Sequence, residues 1–137
     1  MKTHKVLPHT ADVRMWVESD TRNGLFEEAL IGMAELIKKS GLKQSGPKIN
    51  AVIELEAPDQ TSLLIDFLSA VLTLGHQKKA VFTAVKFDKF SETALSSAVT
   101  GFETDGFDED IKAVTYHEAE IEQNQAGRFE TIIVFDI

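Results

Sequence analysis

The sequence predicts an α+β domain spanning residues 1–137, with two helices packed on a largely antiparallel sheet in the order β-α-β-α-β-β-β-β. Three observations lead there. Two stretches in the first half carry apolar residues at helical spacing, from about Thr21 to Lys39 and from Gln60 to about Leu74. Two others, Asp12 to Glu18 and Ile49 to Glu56, alternate apolar and polar residues as a half-buried strand does. From Ala80 onward the runs are β-rich and broken by turn residues, which suits consecutive antiparallel strands.

In the first strand Val13, Met15 and Val17 form the core set, leaving Asp12, Arg14, Trp16 and Glu18 on the opposite face. Thr21 is placed to cap the first helix, whose inward positions are Leu25, Phe26, Ala29, Leu30, Met33, Leu36 and Ile37. Lys38 and Lys39 complement the negative end of its dipole, and Gly41 can close it. A polar linker, Lys43 to Lys48, leads to a strand with Ile49, Ala51, Ile53 and Leu55 inward. Asp59 then caps the second helix, with Leu63, Leu64, Phe67, Leu68, Val71, Leu72 and Leu74 as a wide apolar stripe ahead of Gly75. The remaining strands are expected at Ala80–Asp88, Thr93–Glu103, Ile111–Glu122 and Arg128–Ile137, with turns at 89–92 and 124–127.

Composition excludes several function classes. The chain has no cysteine, so disulfides, thiolate metal sites and a cysteine nucleophile are out. A net charge of −8 argues against independent nucleic-acid binding, which draws its affinity from lysine and arginine. No glycine-rich phosphate loop occurs, and the start of the chain has neither a signal peptide nor a membrane span, so a cytoplasmic protein is expected.

Asp136 is the residue out of place. The run Thr131-Ile132-Ile133-Val134-Phe135-Asp136-Ile137 is apolar on both faces, as a central strand is, so Asp136 is expected to be buried and therefore protonated, paired or bound to a cation. The α-carboxylate of Ile137 follows it, and Asp12 is a candidate third acid; such a hard-oxygen cluster suits Ca²⁺ or Mg²⁺. The plainer readings are a turn or cap role for Asp12 and a solvated chain end for Asp136.

Four runs, His9-Thr10-Ala11-Asp12, Leu63-Leu64-Ile65-Asp66-Phe67-Leu68, Ile111-Lys112-Ala113-Val114-Thr115-Tyr116-His117 and Val134-Phe135-Asp136-Ile137, occur in an order that resembles the archease family over essentially the whole chain. The resemblance implies a small α+β activator, not itself an enzyme, that transiently assists an RtcB-type RNA ligase in tRNA splicing and RNA repair. It implies promotion of GMP transfer from GTP onto the ligase's histidine, multiple turnover and broader nucleotide use, any GTP contact being made through the ligase. It also implies metal binding by Asp12, Asp136 and Ile137, with Lys112 needed for function. Arg14 departs from the glycine often found there; paired with Asp12, it would lower cation affinity.

Other chemistry-bearing residues carry weaker signals. A lysine alternating with Ile111 and Ala113 would ordinarily be a solvated side chain. His9 and His117 lack metal-binding spacing and read as structural hydrogen-bonding residues. The acidic loop 103–110 lacks the register of a calcium loop and reads as solvated. The main alternative function is a metal-dependent phosphoester hydrolase, with Asp12 and Asp136 on Mg²⁺ and His9 or His117 as base. A third is an acidic module with no cation dependence.

Overall fold

Both helices start where a side-chain oxygen holds one of the first free amides. The computed structural model describes residues 2–7, 12–38 and 46–137. In it Thr21 Oγ1 accepts from the Gly24 N–H at 3.0 Å ahead of α1 (Arg22–Ile37), and Asp59 Oδ1 accepts from the Ser62 N–H at 2.7 Å ahead of α2 (Gln60–Lys78). Each such cap is worth about 1 kcal/mol. Lys38 caps the end of α1 through its N–H to the Ala34 carbonyl. Lys39, Gly41 and positions 43–45 of the expected linker lie outside the described residues. The second helix runs through Gly75 and ends at Lys79, which takes the left-handed conformation at φ 50°.

The strands are β1 (Lys2–Leu7), β2 (Asp12–Ser19), β3 (Lys48–Glu56), β4 (Ala80–Phe90), β5 (Ala94–Glu103), β6 (Ala113–Thr115), β7 (Glu122–Gln123) and β8 (Phe129–Asp136). They divide between two antiparallel sheets. One is ordered β1-β2-β8-β6, with β7 also paired to β8; the other is β3-β5-β4. The expected class holds, but the element order differs in two places. A strand precedes β2, and the single strand expected over Ile111–Glu122 is interrupted after Thr115, where Glu118 turns the chain at φ 63°. Ile111 and Ile121 are buried as anchors on either side of that loop.

The helices touch strands of both sheets, and buried residues of both helices and of β2, β3, β4, β5, β6 and β8 form one apolar cluster. Phe26 of α1, Phe67 of α2 and Phe87 and Phe90 of β4 meet as an aromatic group, with tilted or edge-on rings 4.8–6.3 Å apart. At Gly32 of α1 a Cβ would stand 2.4 Å from Met15 Sδ and 3.2 Å from His4 Cδ2. That glycine lets β1 and β2 lie close on the helix, where His4 contacts the carboxylates of Glu28 and Glu35.

Candidate functional site

Strands β2 and β8 run side by side with one face on the core. Val13, Met15 and Val17 are buried, and Asp12, Arg14, Trp16 and Glu18 take the other face, as the alternation indicates. Across the ladder Asp12 is the Cα partner of Asp136, Arg14 of Val134, Trp16 of Ile132 and Glu18 of Glu130. Directly opposed residues of an antiparallel pair share a face, with Cβ atoms about 4.5–5.5 Å apart. Acid therefore faces acid at both ends of this outer face.

The two pairs are served differently. Glu18 accepts from Arg128 Nε at 2.9 Å and from Asn124 Nδ2 at 2.6 Å, and Glu130 accepts from the Trp16 indole N–H at 3.1 Å. Among the described residues, none forms a hydrogen bond or ion pair with the side chain of Asp12 or Asp136. Arg14, two residues from Asp12 on the same face, donates instead to both carboxylate oxygens of Glu118, Nε and Nη2 each at 2.8 Å. That bond raises the guanidinium pKa and lowers that of Glu118; the Asp12 charge adds a smaller upward influence on Arg14. The pairing of Arg14 with Asp12 that would satisfy the acid is not formed.

Asp136 is exposed, which corrects the expectation of burial. Ile133, Val134 and Phe135 are buried, but the strand emerges at its last residue, so desolvation does not demand a counter-ion there. The feature of the pair is instead two acids opposed across a ladder with no donor to either among the described residues. Ile137, the last residue of the sequence, packs its side chain against the core. On the far side of β8, Asp136 pairs with Ala113, and the Lys112 N–H donates to the Asp136 carbonyl at 2.7 Å. Lys112 is exposed, as its alternation with Ile111 and Ala113 indicates, and its backbone is held against the acidic pair.

Among the described residues no three His, Cys, Asp or Glu side chains gather as metal ligands. The described part of the pair is thus Asp12 and Asp136 alone. Two hard carboxylates fit Mg²⁺ or Ca²⁺, ions that leave their other positions to water, carbonyls or phosphate. His9 lies outside the described residues, and His117 is exposed, its N–H bonded to Thr115 Oγ1 at 3.3 Å. The loop 103–110 is largely solvated and tied to α1 through its backbone, the Asp108 N–H donating to the Ile37 carbonyl at 2.7 Å.

One link escaped the sequence reading. The Tyr116 hydroxyl donates to Asp66 of α2, joining the segment after β6 to the helix; that bond first, and burial second, hold the phenol pKa above its ordinary 10.0. The strand alternation carried no signal for it. With the Asp12–Asp136 pairing and the Lys112 bond, the four runs that carry the resemblance are connected.

Comparison with known proteins agrees with the geometry. The family described as the Archease protein family (MTH1598/TM1083) matches residues 4–137. The protein archease of Methanosarcina mazei is 33% identical, over 99% of this chain and 97% of its own length. That of Pyrococcus furiosus is 30% identical over 94% of each chain. In structure, the chain resembles the Methanobacterium thermoautotrophicum protein 1598 with a TM-score of 0.72 at 25% identity, covering 98% of both chains. It shares its fold with a Thermotoga maritima protein described as an archease and possible chaperone, with a TM-score of 0.67, covering 97% of this chain and 96% of the other. Among the described residues no helix is long and apolar enough to cross a membrane. With the family match spanning nearly the whole chain and relatives similar from end to end, this chain belongs to the archease family.

Proposed function

We propose that this chain activates an RtcB-type RNA ligase, raising the transfer of GMP from GTP to the ligase's histidine and keeping the ligase turning over in tRNA splicing and RNA repair. Family membership supports the choice of partner. The observation that supports the mechanism is the opposed Asp12–Asp136 pair, which lacks a donor among the described residues. In this reading Asp12, Asp136 and the Ile137 carboxylate hold a divalent cation, Ca²⁺ or Mg²⁺, and Lys112 offers a point charge to phosphate beside them. When bound, the cation supplies positive charge against triphosphate oxygens. The residues of this chain orient rather than react: the carboxylates fix the ion's place, and the backbone bond from Lys112 to Asp136 ties the lysine to it. A net charge of −8 speeds encounter with a basic ligase surface, so stimulation at limiting protein falls as salt rises. A transient contact in the cytoplasm, released before RNA binds, belongs to the same reading.

The test is single-turnover label transfer from GTP to a competent cognate ligase, with wild type, Asp12→Ala, Asp136→Ala, Lys112→Ala and no added protein. Wild type should accelerate adduct formation in a divalent-ion-dependent way. The variants should lose most of the acceleration, while Lys112→Ala keeps the wild-type melting temperature because its side chain lies outside the core. Equal rates in all five reactions would overturn the activator reading. Turnover of GTP or a phosphoester by the chain alone would favour the hydrolase.

A further inference from the structure

A β-sheet edge presents unpaired amide and carbonyl groups to any other strand, and folded proteins ordinarily blunt such edges with charges, bulges or shortness. Three of the four sheet edges among the described residues are blunted in these ways. The outer strand β1 carries Lys2 and Lys5; β6 and β7 are only three and two residues long; β4 has register breaks at Phe82/Ala84 and Phe87/Lys89, together with Lys86 and Lys89. The fourth edge, β3, has its charges at Lys48, Glu54 and Glu56 and none over residues 49–53, and it is neither short nor bulged. It runs nine residues, Lys48–Glu56, in unbroken register with β5, and among the described residues pairs with no other strand. Its midpoint is Val52, which is 69% exposed, more than any other large hydrophobic among the described residues.

The residues about that midpoint are complementary to themselves. In an antiparallel pairing of β3 with a second β3 about a two-fold axis at Val52, Val52 meets Val52 of the second copy on the outer face. Asn50 then opposes Glu54 of the second copy, and Lys48 opposes Glu56. On the inner face Ala51 opposes Ile53 and Ile49 opposes Leu55, so apolar residues, Ile53 buried and the others half-buried, continue the core face across the junction. The two-fold operation repeats each contact, giving two Lys48–Glu56 ion pairs around an apolar centre. A shift of one residue would set inward side chains against outward ones, so the alternation of exposure along β3 excludes odd shifts, and the Lys48–Glu56 pairing distinguishes this register from the even ones.

We propose that β3 is a self-pairing edge through which two copies of this chain join their three-stranded sheets into one six-stranded sheet centred on Val52. The argument is independent of the acidic pair and of the ligase reading. A two-fold contact of this kind is isologous, closes at the dimer and leaves no further copy of the edge open.

Sedimentation equilibrium of the full chain tests this. Wild type should show a reversible monomer–dimer equilibrium that weakens with salt. Val52→Lys, which puts like charges face to face on the axis, should be monomeric with an unchanged circular-dichroism spectrum. Lys48→Glu should weaken dimerisation about tenfold or more, because two exposed ion pairs become two repulsions. The double variant Lys48→Glu/Glu56→Lys should recover it, a rescue that only this register provides. A wild type that stays monomeric at its highest soluble concentration overturns the proposal, including the outcome in which β3 accepts a strand from a different protein. Dimers that persist in Val52→Lys, or a charge swap that does not rescue, overturn it as well.

Discussion

The two ends of the β2–β8 ladder pose the same electrostatic problem and meet it differently. Glu18 opposes Glu130 at one end and Asp12 opposes Asp136 at the other, on one face of one strand pair. At the glutamate end the turn before β8 supplies the remedy. Asn124 and Arg128 reach Glu18, Trp16 reaches Glu130, and the Arg128 and Glu18 side chains are only 17% and 16% exposed. At the aspartate end the nearest guanidinium is held elsewhere, by Glu118. The contrast separates acids whose repulsion the chain balances with its own donors from acids for which the described residues supply none.

The contrast is broken most severely at the aspartates. Asp136→Asn should lower Ca²⁺ and Mg²⁺ affinity by roughly 10–100-fold in calorimetry, and so should residues added beyond Ile137. Without divalent ions the same substitution should raise the unfolding midpoint, because it removes a like-charge opposition. Arg128→Gln at the other end should have the opposite sign, costing about 1–2 kcal/mol in urea unfolding as Glu18 loses a charged donor. Equal signs for the two substitutions in metal-free protein would show that the ends do not differ in kind.

Finer tests act on the groups around the aspartates. Glu118→Gln should release Arg14 toward Asp12 and weaken cation binding about three- to fivefold, an effect that disappears in an Arg14→Gln background. If the loss is the same in both backgrounds, Glu118 acts only through its own charge. The hydrogen bond from Arg14 holds the Glu118 carboxyl below its ordinary 4.5. Its contribution to stability is therefore complete above pH 4.5 and lost as pH falls through the lowered value, and the melting-temperature gap between wild type and Glu118→Gln should close on that side. The smallest effect is spectroscopic. Tyr116 is the only tyrosine in the chain, so phenolate absorbance should titrate above 10.0 and return toward that value in Asp66→Asn. A midpoint unmoved by Asp66→Asn would remove the link between α2 and the segment after β6.

What could be read from the sequence depended on how local its cause was. Thr21 and Asp59 act on amides three residues away, and both caps are where the sequence puts them. The β2 alternation correctly sent Asp12 and Arg14 to one face. Strand β1 was missed because Lys2–Leu7 has little apolar alternation; it exists because β2 needs an edge partner and His4 meets Glu28 and Glu35. Ile111–Glu122 looked continuous because Ile111 and Ile121 are both buried, although a turn between them carries Glu118 to Arg14. The burial of Asp136 was misjudged because an apolar run does not reveal where a strand leaves the core. Arg14's choice of Glu118 over Asp12 spans 104 residues, a separation at which sequence pattern carries no information.

Because β8, which pairs with β2, β6 and β7, follows all three in sequence, synthesis order matters. β2 ends at Ser19 and β8 begins at Phe129. At about 5–20 residues per second, β2 waits on the order of ten seconds on the ribosome for its neighbour. During that interval the β3-β5-β4 sheet can assemble from contiguous chain, whereas β2 presents a bare side that β8 later occupies. The Asp12–Asp136 pairing thus forms only after all three strands of the smaller sheet have been synthesised.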